Sequence, residues 1–353
     1  RLADGLSEMM ERVSRLFLAA LLFGLSSGIG AESDERQLPT LKAPKVIERA
    51  PIVYPHAAIR RNQEGWVELE TMVDRNGRPY DMVVVDATGH PAFQRAAIRS
   101  LSETTFEPGE YQGEKVDAVH NFRVVFSLHK GSAAYFGPFK TNFVATVRAI
   151  DTGDQTDVLS RLEKLRDRIK TLYEHSMYWT AHFYYERKWG TPMQQLSSVN
   201  RALAYSEKPR NMDASLFQKL LWSKLELQIE LGHYGESLRT IRLLEKLDGV
   251  EEALLSQLMQ YKNSIEELRQ ADTAYPVRAV LNNDGKWKYV LLRDQFGVTD
   301  VKGVINEFQL YCQRERVRFK FEPDFEYTLD GTNGTCSLWA IGKPDTEFTF
   351  IQL

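Results

Sequence analysis

Motifs that carry chemistry are absent from this chain of 353 residues. It lacks the HExxH pair and the Cys/His spacings of zinc sites, the GxxxxGKS phosphate loop, the GxGxxG turn and the GxSxG elbow. Its seven histidines are scattered, and we interpret them as packed or solvated side chains. The sequence therefore predicts no enzyme, no metal and no cofactor, although an enzyme without these motifs stays open.

An excess of positive charge is also lacking. The chain has 45 Lys and Arg against 48 Asp and Glu, which gives a formal net charge of -3 and a pI near 6.2. Nucleic-acid binding requires a basic stripe that neutralises phosphates, and we find none. The composition is that of a folded globular protein, and the length predicts two or three domains.

Long apolar runs are missing as well. The run Leu16–Leu25 follows two arginines and precedes small residues up to Ala31. It is shorter than the roughly 20 residues that cross a bilayer comfortably, and this setting is typical of a secretory signal peptide. We expect a signal peptide within residues 1–31, a polar linker at 32–50 and a mature protein in a Gram-negative periplasm. An uncleaved inner-membrane anchor is the alternative.

Cysteine is the scarcest residue, with only Cys312 and Cys336. Export would bring this pair into an oxidising compartment, where an even number predicts a disulfide. By loop-closure reasoning, such a bridge contributes about 3 kcal/mol. Two buried thiols without a bond are the alternative.

A β-hairpin is predicted at residues 65–86. Val67, Leu69 and Val73 alternate with polar residues, which is the period of a half-buried strand. Asn76-Gly77 supplies the positive-φ turn, and a second strand follows it.

A helix is predicted on each side of this hairpin. The first lies at about residues 54–61, and the second places Phe93, Ala97 and Leu101 at helical spacing. A third strand of alternating apolar residues then runs to Leu128. The predicted order is therefore helix, strand, strand, helix, strand.

These residues resemble the C-terminal domain of TonB-type energy transducers. The shared features, in order and spacing, are Tyr54-Pro55 with Ala58, Glu64-Gly65, Val73-Asp74 with Gly77, Phe93 with Ala96-Ala97, Phe106-Glu107-Pro108-Gly109 and Phe122-Arg123-Val124-Val125-Phe126. The resemblance covers about residues 45–130 and predicts a TonB-like αββαβ domain at 51–130.

The resemblance also implies a way of binding. A TonB-like domain pairs its final strand, here Val119–Leu128, with a short segment of an outer-membrane receptor. An exposed sheet edge can accept such a segment as an added strand, because main-chain hydrogen bonds supply the affinity. The expected peptide-binding residues are Val119, Asn121, Phe122, Arg123, Val124, Val125 and Phe126.

Residues 140–272 are predicted to be helical repeats. Gly153, Gly190 and Gly232 are each followed six residues later by leucine, as in paired-helix repeats. The turn at Gly232 resembles that of a tetratricopeptide repeat. We interpret the aromatic residues from Tyr178 to Trp189 as repeat core, with a peptide-binding groove as the alternative.

From residue 275 onward the apolar period changes to two, which predicts a small all-β domain, a sandwich or a barrel, at 275–353. Five or more short strands are expected, and those that the pattern marks are Val277–Leu281, Trp287–Leu292, Val317–Phe321, Ser337–Ile341 and Phe348–Gln352.

The sequence thus predicts an α+β multidomain protein of three parts. We expect a periplasmic adaptor that is accessory to TonB-dependent outer-membrane transport, with a receptor at the strand edge and a second protein at the repeats. The linker spans only about 60 Å as extended polyproline, and more than 200 residues follow the TonB-like domain. Both features argue against a role in transmitting force from the inner membrane. An anchored energy transducer and an envelope scaffold are the alternatives.

Overall fold

The computed structural model describes residues 42–128, 137–204, 212–314, 316–322, 326–329 and 335–353. The predicted signal peptide lies outside the described residues, as does most of the predicted linker. The last residues of that linker belong to the fold, because strand β1, Lys45–Glu48, pairs with residues 105–107. The linker is therefore shorter than the predicted 32–50.

Residues 42–128 form a three-stranded antiparallel sheet with two helices. The elements in chain order are β1 Lys45–Glu48, α1 His56–Arg60, β2 Gly65–Val73, β3 Pro79–Thr88, α2 Ala92–Ser102, β4 Thr105–Glu107, β5 Gly109–Tyr111, β6 Glu114–Val116 and β7 Ala118–Phe126. The sheet order is β3-β2-β7. The predicted succession of helix, strand, strand, helix and strand is present as α1, β2, β3, α2 and β7. The small pairs β1-β4 and β5-β6 are added to it.

The turn between β2 and β3 depends on Asp74 and Gly77. The Asp74 carboxylate accepts hydrogen bonds from the amides of Arg78 and Asn76, at 2.8 Å each, and these bonds lower the pKa of Asp74. Gly77 has a φ of 80°, and a Cβ there would lie 1.9 Å from the carbonyl oxygen of Phe106. The hairpin therefore needs glycine for both its backbone angle and its close contact with β4.

The two faces of this sheet have different neighbours. On the helix face, Val67 of β2 packs with Phe93 of α2 and Phe122 of β7 in an apolar core. Side chains alternate along a strand, so Trp66 and Glu68 of β2 lie on the opposite face. We call that side the cleft face, because it borders a large cleft described below.

Residues 137–270 are mainly helical. The helices are α3 Gly137–Thr152, α4 Gln155–Arg166, α5 Leu172–Trp189, α6 Pro192–Leu203, α7 Ala214–Glu230, α8 Tyr234–Leu244 and α9 Glu252–Gln270. Gly153, Gly190 and Gly232 separate the helices of three successive packed pairs, α3/α4, α5/α6 and α7/α8. The tetratricopeptide character of these pairs stays a prediction. Within the described ranges, no helix combines the length and apolarity needed to span a bilayer.

Helix α5 lies between two cores, which accounts for its aromatic residues. Phe183 packs with the core of α6 to α9, and Tyr178 and Tyr185 pack with the core of α3 and α4. Trp179 and Trp189 are partly buried against the same cores. These rings pack in the two helical cores rather than lining an open groove.

Residues 275–353 form two four-stranded antiparallel sheets around one apolar core. The strands are β8 Tyr275–Val280, β9 Lys286–Val290, β10 Gln295–Lys302, β11 Ile305–Tyr311, β12 Arg316–Lys320, β13 Glu326–Thr328, β14 Ser337–Gly342 and β15 Glu347–Gln352. The sheet orders are β13-β10-β15-β8 and β12-β11-β14-β9. Strands β10, β11 and β13 were not predicted. The predicted disulfide between Cys312 and Cys336 is present and lies within the core.

Candidate peptide-binding edge of the three-stranded sheet

Strand β7 is an edge strand of its sheet. It pairs with β2 in an unbroken antiparallel register from Gly65 opposite Phe126 to Val73 opposite Ala118. Among the described residues, no strand pairs with β7 on its other side, which we call the outer edge of β7. This is the edge that the sequence predicted as the binding site.

The amide directions along β7 follow from one hydrogen bond. The Val119 amide donates to the carbonyl oxygen of Gln313 at 2.8 Å, and therefore points away from β2. Backbone groups of an antiparallel strand alternate in direction, so the amides of Asn121, Arg123 and Val125 also face the outer edge. An added strand would find a row of donors and acceptors there.

The seven predicted binding residues divide into two groups. Phe122, Val124 and Phe126 are at most 1% exposed, and their side chains belong to the core. These three cannot contact a peptide through their side chains, and they act by holding β7 in place. Val125 is 42% exposed, Asn121 is exposed, and Val119 and Arg123 are partly exposed. Direct contact is thus restricted to this second group.

Charge along β7 is low. Arg123 forms an ion pair with Glu68 of β2 at 2.9 Å. Burial lowers the pKa of His120, and its Nδ1 lies 3.1 Å from the Pro44 carbonyl oxygen. His120 is therefore neutral at pH 7. The groups that this edge offers are therefore mainly backbone groups and not charges.

The C-terminal end of β7 is fixed by a buried carboxylate, Glu64. Its Oε1 accepts hydrogen bonds from the Leu128 amide at 2.7 Å and from the Ser127 hydroxyl at 3.1 Å. Its Oε2 accepts from the Leu172 amide at the start of α5, at 3.0 Å. One side chain therefore joins the end of β7 to the helices. Burial, with a smaller contribution from the charge of Glu64, raises the pKa of Tyr54 to about 12.

The N-terminal end of β7 contacts the C-terminal region. Gln313 follows Cys312 of the disulfide, and its carbonyl occupies the outer edge at Val119. Arg316 of β12 lies on the cleft face, where it pairs with Asp81 at 3.1 Å and with Glu70 at 3.5 Å. A peptide that added along all of β7 would have to displace Gln313.

Sequence reasoning missed Glu64, Gln313 and Arg316. Each contact joins residues far apart in the chain, and no local periodicity marks such partners. Only Glu64 carried a signal, because Glu64-Gly65 belongs to the family pattern, but the pattern gave it no role.

Comparison with known proteins supports the resemblance for this region. Residues 50–128 match the family model of the Gram-negative bacterial TonB protein C-terminal. A solution NMR structure of the Pseudomonas aeruginosa TonB CTD matches at 26% identity, covering 24% of this chain and 87% of that chain, with a TM-score of 0.22. No curated protein matches. The TonB-like segment predicted at about residues 45–130 is confirmed, and it accounts for less than a quarter of the chain.

Proposed function

We propose that this chain is a periplasmic interaction protein, accessory to TonB-dependent outer-membrane transport, that binds an extended receptor segment beside β7. The family match over residues 50–128 supports an outer-membrane receptor as the partner. The observation that carries the binding mode is the direction of the Val119 amide, which puts a row of backbone groups on the outer edge of a strand paired on one side.

The physical basis is main-chain pairing. The amides and carbonyls of Asn121 and Val125 offer hydrogen bonds to an added strand, and each bond contributes about 0.5–1.5 kcal/mol net. Side chains of the added strand would alternate between the two faces of the sheet. Val125 offers an apolar contact on one of them, so selectivity would come from alternate positions of the partner.

The helical pairs of residues 137–270 are the proposed contact for a second protein. An adaptor needs two contact surfaces, and stacked helix pairs provide extended ones. The partner of this surface is an envelope protein that copurification with the receptor would reveal.

The first test replaces Val125 by proline. Proline removes an outward amide but no β2 to β7 hydrogen bond, because the Val125 amide faces the outer edge. We expect loss of binding to synthetic peptides that cover the periplasm-facing segments of TonB-dependent receptors. Arg123→Ala should weaken binding less, since a partly exposed charge contributes about 0 to 1 kcal/mol. Circular dichroism must show that the proline variant is folded.

A control on the ligand avoids the folding question. N-methylation of every second residue of a bound peptide blocks strand pairing in one parity and spares it in the other. If the peptide adds as a strand, methylation at one set of alternate residues should abolish binding to the unaltered protein, and methylation at the other set should not. Equal binding of both methylated peptides, or full binding by a folded Val125→Pro variant, would overturn the proposal.

A further inference from the structure

A cleft of about 1630 Å³ lies between the three regions of the fold. Trp66 and Arg123 on the cleft face of the sheet form one wall, Lys224 of α7 lies on the helical wall, and Trp287 of β9 lies on the wall from the C-terminal region. The cleft is larger than the roughly 300–1,000 Å³ of ordinary small-molecule sites. It has room for several residues of a polypeptide chain.

Lys224 is the unusual group in this cleft. Its ammonium group has no hydrogen-bond or ion-pair partner among the described residues, although the side chain lies deep in the fold and reaches the cavity. Burial lowers its pKa, and the negative charges of Glu236 and Glu68 oppose that effect. Lys224 is partly exposed, so this cation is open to a ligand in the cleft.

Other polar atoms around the same cleft also lack partners. The indole nitrogens of Trp66 and Trp287, Nε2 of His233 and Oε2 of Glu236 are buried and make no hydrogen bond within the described part of the chain. All four residues border the cleft. Unsatisfied buried polar groups are few in native structures. These atoms have almost no accessible area, so a ligand in the cleft reaches them only if the wall moves.

The chemistry of the cleft specifies its occupant. The unpartnered ammonium group selects a carboxylate. The remaining wall is largely apolar, with Leu196 and Leu221 among its residues. A peptide segment that combines apolar and acidic residues has both properties.

We propose that this cleft binds a peptide segment whose carboxylate pairs with Lys224. The cleft shares Arg123 with β7, but its ligand pairs with Lys224 of α7 and does not add as a strand, so the site goes beyond the proposed strand addition. The carboxylate can come from an Asp or Glu side chain or from a chain terminus.

The test uses the full chain and a bead library of random 12-residue peptides with amidated C-termini. A second library omits Asp and Glu and has free C-termini. The variants are Lys224→Met, the matched control Lys219→Met on the exposed side of α7, and Val125→Pro at the β7 edge. Beads are selected with each protein and the bound peptides are sequenced.

We expect the unaltered protein, Lys219→Met and Val125→Pro to enrich acidic peptides, and Lys224→Met to lose that enrichment. Individual acidic peptides should bind Lys224→Met about ten- to a hundredfold more weakly, as for loss of a charged hydrogen bond. Enrichment in the second library alone would assign the carboxylate to a chain terminus. Equal enrichment by Lys224→Met and the unaltered protein overturns the proposal, whatever happens at β7.

Thermal unfolding without peptide gives an independent result. A cation kept without a partner for the sake of a ligand should lower the stability of the free protein. Lys224→Met should therefore melt at a higher temperature than the unaltered protein, while Lys219→Met should not change. A lower melting temperature for Lys224→Met would mean that Lys224 supports the fold, and would contradict a ligand role.

Discussion

The helix face and the cleft face of the three-stranded sheet are built from alternate residues of the same strands, yet their chemistry differs. Leu69 and Val67 on the helix face are fully buried among apolar side chains. On the cleft face, Glu68 pairs with Arg123, and Glu70 meets Arg316 of β12. One face stabilises the domain by burying apolar area, and the other joins it to the rest of the chain through polar contacts.

Within one pair of strands, one face therefore contributes to stability and the other to contacts outside the sheet. The helix face holds the apolar core. The cleft face and the outer edge of β7 are the surfaces at which we propose binding. Three changes rank these contributions from the largest expected effect to the smallest, and a fourth concerns pH dependence.

The largest effect should come from Leu69→Ala on the helix face. Leu69 is completely buried, so truncation leaves a cavity and should cost about 2–5 kcal/mol of unfolding free energy. Urea unfolding of the variant measures this cost. Val125→Ala is the matched control on β7, where an exposed side chain should change stability by about 0.5 kcal/mol or less. Equal costs at the two positions would contradict the division of faces.

Removal of the disulfide should rank second. Cys312 and Cys336 are 24 residues apart, and the paired change to serine should cost about 3 kcal/mol of unfolding free energy in the C-terminal region. The Val119 amide should then exchange with solvent faster, because Gln313 adjoins Cys312. Non-reducing peptide mapping and amide exchange provide the readouts. Unchanged exchange at Val119 would show that the disulfide does not hold this contact.

The cleft-face ion pairs should rank third. Arg316 is 6% exposed, and its loss in Arg316→Met leaves Glu70 poorly solvated, which should cost about 2 kcal/mol. Arg318 is 57% exposed and pairs with the same Asp81 carboxylate, so Arg318→Met should cost less than about 1 kcal/mol. A larger loss for Arg318 than for Arg316 in chemical unfolding would refute this ranking.

The fourth change is one of pH dependence and not of stability at a single pH. Burial raises the pKa of Glu236, beside the cleft, to about 7. A carboxyl group with a raised folded-state pKa stabilises the fold fully below its unfolded pKa, and this contribution is lost as pH rises to about 7. Burial lowers the pKa of nearby His233 to about 4. The stability that neutral His233 contributes is therefore lost as pH falls from its unfolded pKa to about 4, which is the opposite dependence on pH.

The difference between the unaltered protein and Glu236→Gln isolates the carboxyl group. Melting temperatures measured from pH 4.5 to 7.5 should fall with rising pH more steeply, or rise less, in the unaltered protein than in Glu236→Gln. His233 is present in both proteins and cancels. Parallel curves would show that Glu236 does not titrate in this range.

The sequence was most informative where structure depends on neighbours in the chain. The Asp74 to Gly77 turn and the alternation of Val67 and Leu69 are local, and the structure has both. Strand β11 was missed because a bulge between Ile305 and Glu307 shifts the parity of its buried residues. Strand β10 contains Gly297 and a positive φ at Asp300, which weakens its strand pattern.

The candidate sites were predicted only in part for the same reason. The family pattern placed the edge at β7, but periodicity could not show that Gln313 reaches it. In the sequence, nothing distinguishes Lys224 from the other polar residues of its helix. Its position opposite the cleft face exists only once three regions of the chain come together, so no local pattern could identify it.

Backbone amide exchange at β7 tests the central claim most directly. The amides of Asn121 and Val125 face the outer edge, so a bound receptor peptide that adds as a strand should slow the exchange of both. The amides of Phe122 and Val124, which pair with β2, should be protected with and without peptide. If a receptor peptide binds and the exchange of Asn121 and Val125 stays as fast as in the free protein, strand addition at β7 is wrong.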